Sequence, residues 1–188
     1  MKLELKKVSF SESLSDDSNA FTADVHIDGV KRATASNHGH GGPTDVHAYA
    51  KPRQSPQGDE AYFQEKKLNK FFLNQYEAWA KTQPAIETDL PTEGGGKFSY
   101  PHTLEADVDL WLEQWLTAEY ARKGAARMKR MCGTKWVFTL KEKDGKPVEA
   151  NTLFMIVKRP GQLLAVVAAD LRKKHGANLL EILNEQYQ

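Results

Sequence analysis

Cysteine is nearly absent: Cys132 is the only one in 188 residues. An intramolecular disulfide framework is thereby excluded, and the chain fits a reducing compartment, the cytoplasm. Long apolar runs are missing as well, and none approaches the roughly 20 residues that span a bilayer. The start, Met1-Lys2-Leu3-Glu4-Leu5-Lys6-Lys7, alternates apolar and charged residues and has no apolar core of a signal peptide. Neither secretion nor membrane insertion is expected. No sign of charge dominates: 26 Lys and Arg face 25 Asp and Glu, for a net charge of +1. Any nucleic acid, anionic membrane or acidic substrate would have to be recognised locally. Internal repeats, low-complexity runs, the GxGxxG of a dinucleotide fold and the GxxxxGK[ST] of a P-loop do not occur, so no cofactor is implied.

What remains is ordinary globular composition, 40% hydrophobic and 27% charged, which predicts one self-sufficient domain over residues 1–188. Leu3, Leu5, Val8 and Phe10 predict a first strand. Phe21, Ala23, Val25 and Ile27 alternate with polar residues into Asp28-Gly29, a hairpin signal because both turn positions tolerate positive φ. A two-residue connection opposes Ile27 to Val30 and turns Arg32 and Thr34 to the apolar face. A three-residue connection turns Ala33 and Ala35 there and is the reading adopted. Thr44 to Tyr49 predicts a further strand. Asp59 is placed as N-cap of an aromatic helix to Ala80. Residues 82–102, with Gly94-Gly95-Gly96 and several prolines, read as a long loop. Val108, Trp111, Leu112, Trp115 and Leu116 mark a second long helix toward Met131, with Gly124 as its weak point. Trp136, Phe138 and Leu140 begin a C-terminal hairpin whose second strand, Leu153 to Val157, reads as central and buried on both faces. Pro160-Gly161 opens a helix stopped by Gly176, and Asn178 with Glu181 resembles the capping box of a last short helix. The order of elements predicts α+β: an N-terminal antiparallel meander, two long amphipathic helices, a C-terminal hairpin and closing helices.

Two segments carry candidate chemistry. In the first, Ser36 to His47, the residues Asn37, Gly39, Gly41 and Gly42 suggest a binding loop, since glycine backbone N–H groups can cradle an anion. The same glycines equally serve a bulge and tight turn between strands. His38, His40 and His47, with Asp45, suggest a metal-dependent hydrolase in which a cation activates water. The second segment, Tyr120 to Lys141, holds Arg122, Arg127 and Arg130 among seven basic residues and no acidic one, the pattern of a nucleic-acid patch. Its charges also complement a helix macrodipole, because Glu105, Asp107, Asp109, Glu113 and Glu119 occupy the preceding half. Cys132 has no histidine partner in sequence and reads as inert. Asp16-Asp17 and Asp107 with Asp109 suggest solvated or capping carboxylates, and the four tryptophans suggest core.

The hairpin ending Ile27-Asp28-Gly29, the loop Ser36-Asn37-x-Gly39-x-Gly41-Gly42 and the tail Leu171-Arg172-Lys173-Lys174-His175-Gly176 with Glu181-Ile182-Leu183-Asn184-Glu185 resemble uncharacterised bacterial proteins of prophages and other mobile elements. That resemblance covers the two ends of the chain and implies an accessory protein without an established activity. Taken together, acid, base, nucleophile and cofactor signatures do not converge. The expectation is therefore a non-enzymatic cytoplasmic binding protein with a macromolecular partner, a protein in preference to a nucleic acid.

Overall fold

Alternating apolar residues in the first fifty positions produce a four-stranded antiparallel sheet. Its strands are β1 (Leu3–Phe10), β2 (Phe21–Ile27), β3 (Val30–Asn37) and β4 (Asp45–Ala48), hydrogen-bonded in that order. The computed structural model describes residues 1–52, 59–91, 97–143 and 145–187. Two bulges set which side chains face inward. Pairing slips by one residue between Lys6 and Ser9, with Lys7 at φ 51°. This reconciles the odd phase of Leu3 and Leu5 with the even phase of Val8 and Phe10. The Asp28-Gly29 turn has two residues, with Ile27 opposite Val30, yet a second slip beside Arg32 opposes Val25 to Ala33. Ala33 and Ala35 are thus buried as expected, through a bulge and not through a longer turn. The displaced Arg32 stacks its guanidinium 3.7 Å from the Phe72 ring centroid and donates to Asn69 Oδ1.

Helix α1 (Asp59–Ala80) and the start of α2 (Leu104–Thr134) follow, and Leu73, Tyr76, Val108 and Leu112 join Val25 and Ala33 in one core. Between the helices the expected 82–102 loop is corrected: β5 (Ile86–Pro91) pairs antiparallel with β6 (Lys97–Tyr100). This ribbon exposes Phe98, and none of its described side chains is buried, so they impose no hydrophobic period. Gly94-Gly95-Gly96 and the cap assigned to the Asp59 side chain lie outside the described residues. Gly124 does not interrupt α2.

The chain divides into two compact units, Met1–Leu116 and Thr117–Gln188. In the second unit, β7 (Lys135–Leu140) is the central strand of a three-stranded sheet, β10-β7-β11, with β10 (Phe154–Val157) and β11 (Leu179–Ile182) as its edges. A short hairpin, β8 (Glu142–Lys143) with β9 (Lys146–Pro147), precedes β10. One face of β7 packs Phe138 and Leu140 on Ala168 and Leu171 of α3 (Leu164–His175), while Val137 on the other meets Cys132 and Leu183.

Two C-terminal expectations change. The apolar run read as a central strand is the edge strand β10, paired with β7 alone. The segment read as a last helix is β11, flanked by 3-10 turns at Gly176–Asn178 and Leu183–Glu185. Pairing along β7 outweighs the weak helical preference of so short a segment. Asn178, expected as a cap, instead exchanges two hydrogen bonds with the Glu142 backbone, at 2.7 and 2.8 Å. Gly176, at φ 53°, does end α3 as expected. The architecture is α+β, and among the described residues no helix is long and apolar enough to cross a membrane.

Candidate functional site

The glycine-rich loop is held shut by its own groups. Asn37 Oδ1 accepts from Ser18 Oγ and from the Gly39 N–H at 2.9 and 2.8 Å, while its amide donates to the Gly42 carbonyl. The Gly39 carbonyl accepts three backbone N–H groups, those of Asp16, Asp17 and Ser18. A Cβ on Gly39 would lie 1.9 Å from the Leu14 carbonyl oxygen. Buried Thr44 donates to Asp109 Oδ1 at 2.6 Å. Asn37 and Gly39 therefore fasten the loop to residues 16–18, the Gly41 N–H adds a bond to Ser18 Oγ at 3.2 Å, and Gly42 is tied to Asn37. Burial, with the nearby Glu105 charge, raises the Asp109 pKa, partly offset by the Thr44 hydrogen bond.

His38, His40 and His47 are exposed and separate. His40 Nδ1 lies 3.3 Å from Asp16, and His47 sits opposite Thr34 on β4. The structure does not bring these histidines and Asp45 into a coordination group. Among the described residues no three His, Cys, Asp or Glu side chains are placed to hold a metal ion. Cys132 is buried, and that burial raises its thiol pKa despite the Lys158 charge, as suits an inert residue.

Arg122, Arg127 and Arg130 are exposed on α2. At about 100° per residue, they share with Lys123 and Lys129 one arc, opposite Met128, Met131 and Cys132, which face the core. The macrodipole does not account for them. Helix α2 ends at Thr134 and its last turn holds no basic residue, whereas dipole effects fade within one turn. Arg122 is engaged by Glu119 through two hydrogen bonds of 2.8 and 2.7 Å. Arg127 and Arg130 have no ion-pair partner among the described residues.

The outer edge of β10 adds a feature of another kind. Met155, Ile156 and Val157 are 48%, 44% and 69% exposed, and among the described residues no strand pairs with this edge of β10. Lys135 faces Val157, the Lys158 N–H bonds to the Thr134 carbonyl, and Arg159 follows. The second unit holds fourteen Lys and Arg against seven Asp and Glu, and the first unit twelve against eighteen. Near-neutrality of the chain thus conceals two units of opposite sign.

Two buried polar networks escaped sequence reasoning because their partners lie far apart in the chain or read as capping residues. Asn184 accepts from the Val137 N–H and donates to the carbonyls of Cys132 and Lys135. It thereby satisfies the end of α2 from 52 residues away. In the first unit, Asp107 accepts from the Tyr76 hydroxyl at 2.7 Å and from His102 Nδ1. Burial, together with the Asp107 carboxylate, pushes the Tyr76 pKa far up and keeps the phenol neutral. Comparison with protein-family models, with curated proteins and with solved structures finds no match to the chain.

Proposed function

We propose that the protein is a non-enzymatic binding protein of the cytoplasm that docks an extended, acidic segment of a partner protein along the free edge of β10. The observation that carries this reading is an unpaired strand edge whose three consecutive apolar side chains are exposed beside basic ones. A sheet edge of this kind is a template for another strand, and proteins normally blunt it. An added strand would satisfy the outward backbone groups, and its apolar side chains would cover Met155 and Val157. The basic excess of the unit favours an acidic segment and disfavours a second copy at the same edge. The β11 edge differs, carrying Glu181, with Glu185 just beyond it. On the resemblance of its ends to mobile-element proteins, the partner is a host protein and the role is modulation of a host process.

The test is binding of a fluorescent peptide of alternating valine and glutamate, followed by anisotropy. The double variant Met155→Glu with Val157→Glu changes only exposed side chains, so its melting should stay within about 0.5 kcal/mol of the parent. Peptide affinity should fall at least tenfold. Unchanged affinity in the variant, or tight binding of duplex DNA in place of peptide, would overturn the proposal. The DNA outcome would move the function to the arginine arc of α2.

A further inference from the structure

The first unit contains a cavity of about 340 Å³ whose wall includes Tyr76, Trp79, His102, Asp107, Trp111 and Gln114. We infer that it is a binding site for a small planar heterocycle carrying a lactam edge, an N–H beside a C=O, as in an oxopurine. This goes beyond strand docking and concerns the other unit.

The inference starts from Asp107. A carboxylate only accepts hydrogen bonds, so its bond to His102 Nδ1 places the imidazole proton on that nitrogen. In the tautomer that this bond selects, Nε2 carries the ring's lone pair and is an acceptor, and among the described residues it has no partner. Tyr76, the second donor to Asp107, fixes the carboxylate, and His102 is thereby oriented before any ligand arrives. The indole N–H groups of Trp79 and Trp111 and the amide of Gln114 also make no hydrogen bond among the described residues. The residues around this open pocket therefore carry one acceptor and several donors without protein partners among the described residues, beside Tyr76 and Trp79, whose rings lie 5.3 Å apart. Largely apolar pockets with a few convergent polar groups are the usual form of small-molecule sites, and this volume lies at their lower end. A ligand matching the set must donate to Nε2, accept from an indole or amide N–H, and be flat enough to lie against the aromatic side chains. A lactam edge supplies donor and acceptor side by side on a planar ring. Capping of α2 does not use up these groups, because Thr103 Oγ1 and Glu77 already accept the Ala106 and Leu104 N–H groups.

Inosine, which has a lactam edge, and adenosine, which lacks one, are the probes. Quenching of tryptophan fluorescence in the full chain should saturate with inosine and be at least tenfold weaker with adenosine. His102→Phe removes the acceptor and should weaken inosine at least tenfold. Should that variant lose the fold with its bond to Asp107, Gln114→Leu leaves the Tyr76–Asp107 pair intact and should weaken inosine severalfold. In the parent protein, inosine should shift the ¹⁵N resonance of His102 Nε2. The Met155→Glu, Val157→Glu variant should bind inosine unchanged, which separates this site from the β10 edge. Absence of saturable quenching by inosine at millimolar concentration, equal quenching by adenosine, or an unmoved His102 resonance would overturn the inference.

Discussion

Gly39 is where a single side-chain atom decides most. Its φ of 87° is one that alanine adopts at a cost of about 1–2 kcal/mol. Its missing Cβ also lets the Leu14 carbonyl approach closely and leaves its own carbonyl placed for three N–H groups of residues 16–18. Gly39→Ala should therefore destabilise the chain by about 2–4 kcal/mol, as strain adds to disturbed hydrogen bonds. Gly42→Ala meets no atom within 4 Å at a backbone φ open to alanine and should stay within about 0.5 kcal/mol. Urea denaturation of both variants makes the comparison. Similar losses would show that the loop tolerates displacement and that the fit at Gly39 carries no stability. The loop's glycines were legible in sequence, as were the two readings open to them. What sequence could not show is Asn37 meeting Ser18, a contact 19 residues distant that shapes the loop.

At the scale of elements, legibility followed burial of one face. The meander, α1, α2 and α3 could be read because each has a buried stripe with its own period, and the Ala33 and Ala35 face emerged despite the wrong turn length. The described side chains of the β5-β6 ribbon form no such stripe. The β10 and β11 assignments failed because apolar content reports burial only when partners are known. Leu153 to Val157 looks central in sequence, yet the place beside β7 on its other side goes to β11. Helix α2 presents the reverse case. From Thr117 to Arg127 no residue is buried, so that stretch relies on intrinsic propensity and on pairs such as Glu119 with Arg122. Gly124 sits within it at a φ outside the left-handed region, with open space around its missing Cβ. Gly124→Ala should thus stabilise the helix by up to about 1 kcal/mol. The readouts are a higher melting temperature and greater helical circular dichroism. A loss of stability would mean that this stretch of α2 is not a regular helix.

At the scale of the whole molecule, opposite charge on the two units makes a net charge of +1 uninformative about polyanions. Arg127 and Arg130, which have no ion-pair partner among the described residues, should with Lys129 on the same arc give sequence-independent attraction to duplex DNA even where the specific partner is a protein. Three neutralised phosphates imply a slope near −2.7 in log affinity against log salt, so raising salt from about 50 to 200 mM should weaken binding roughly 40-fold. Arg127→Glu with Arg130→Glu should remove most of that attraction. The melting temperature should hardly move, because neither side chain is buried or lies in the last turn of α2. A gel-shift titration of both proteins at two salt concentrations, with a scrambled duplex beside any candidate site, reads all three effects. Binding that discriminates between duplexes would point to base contacts and displace the strand-docking proposal. Binding indifferent to salt would show that the arginine arc is not what holds the DNA.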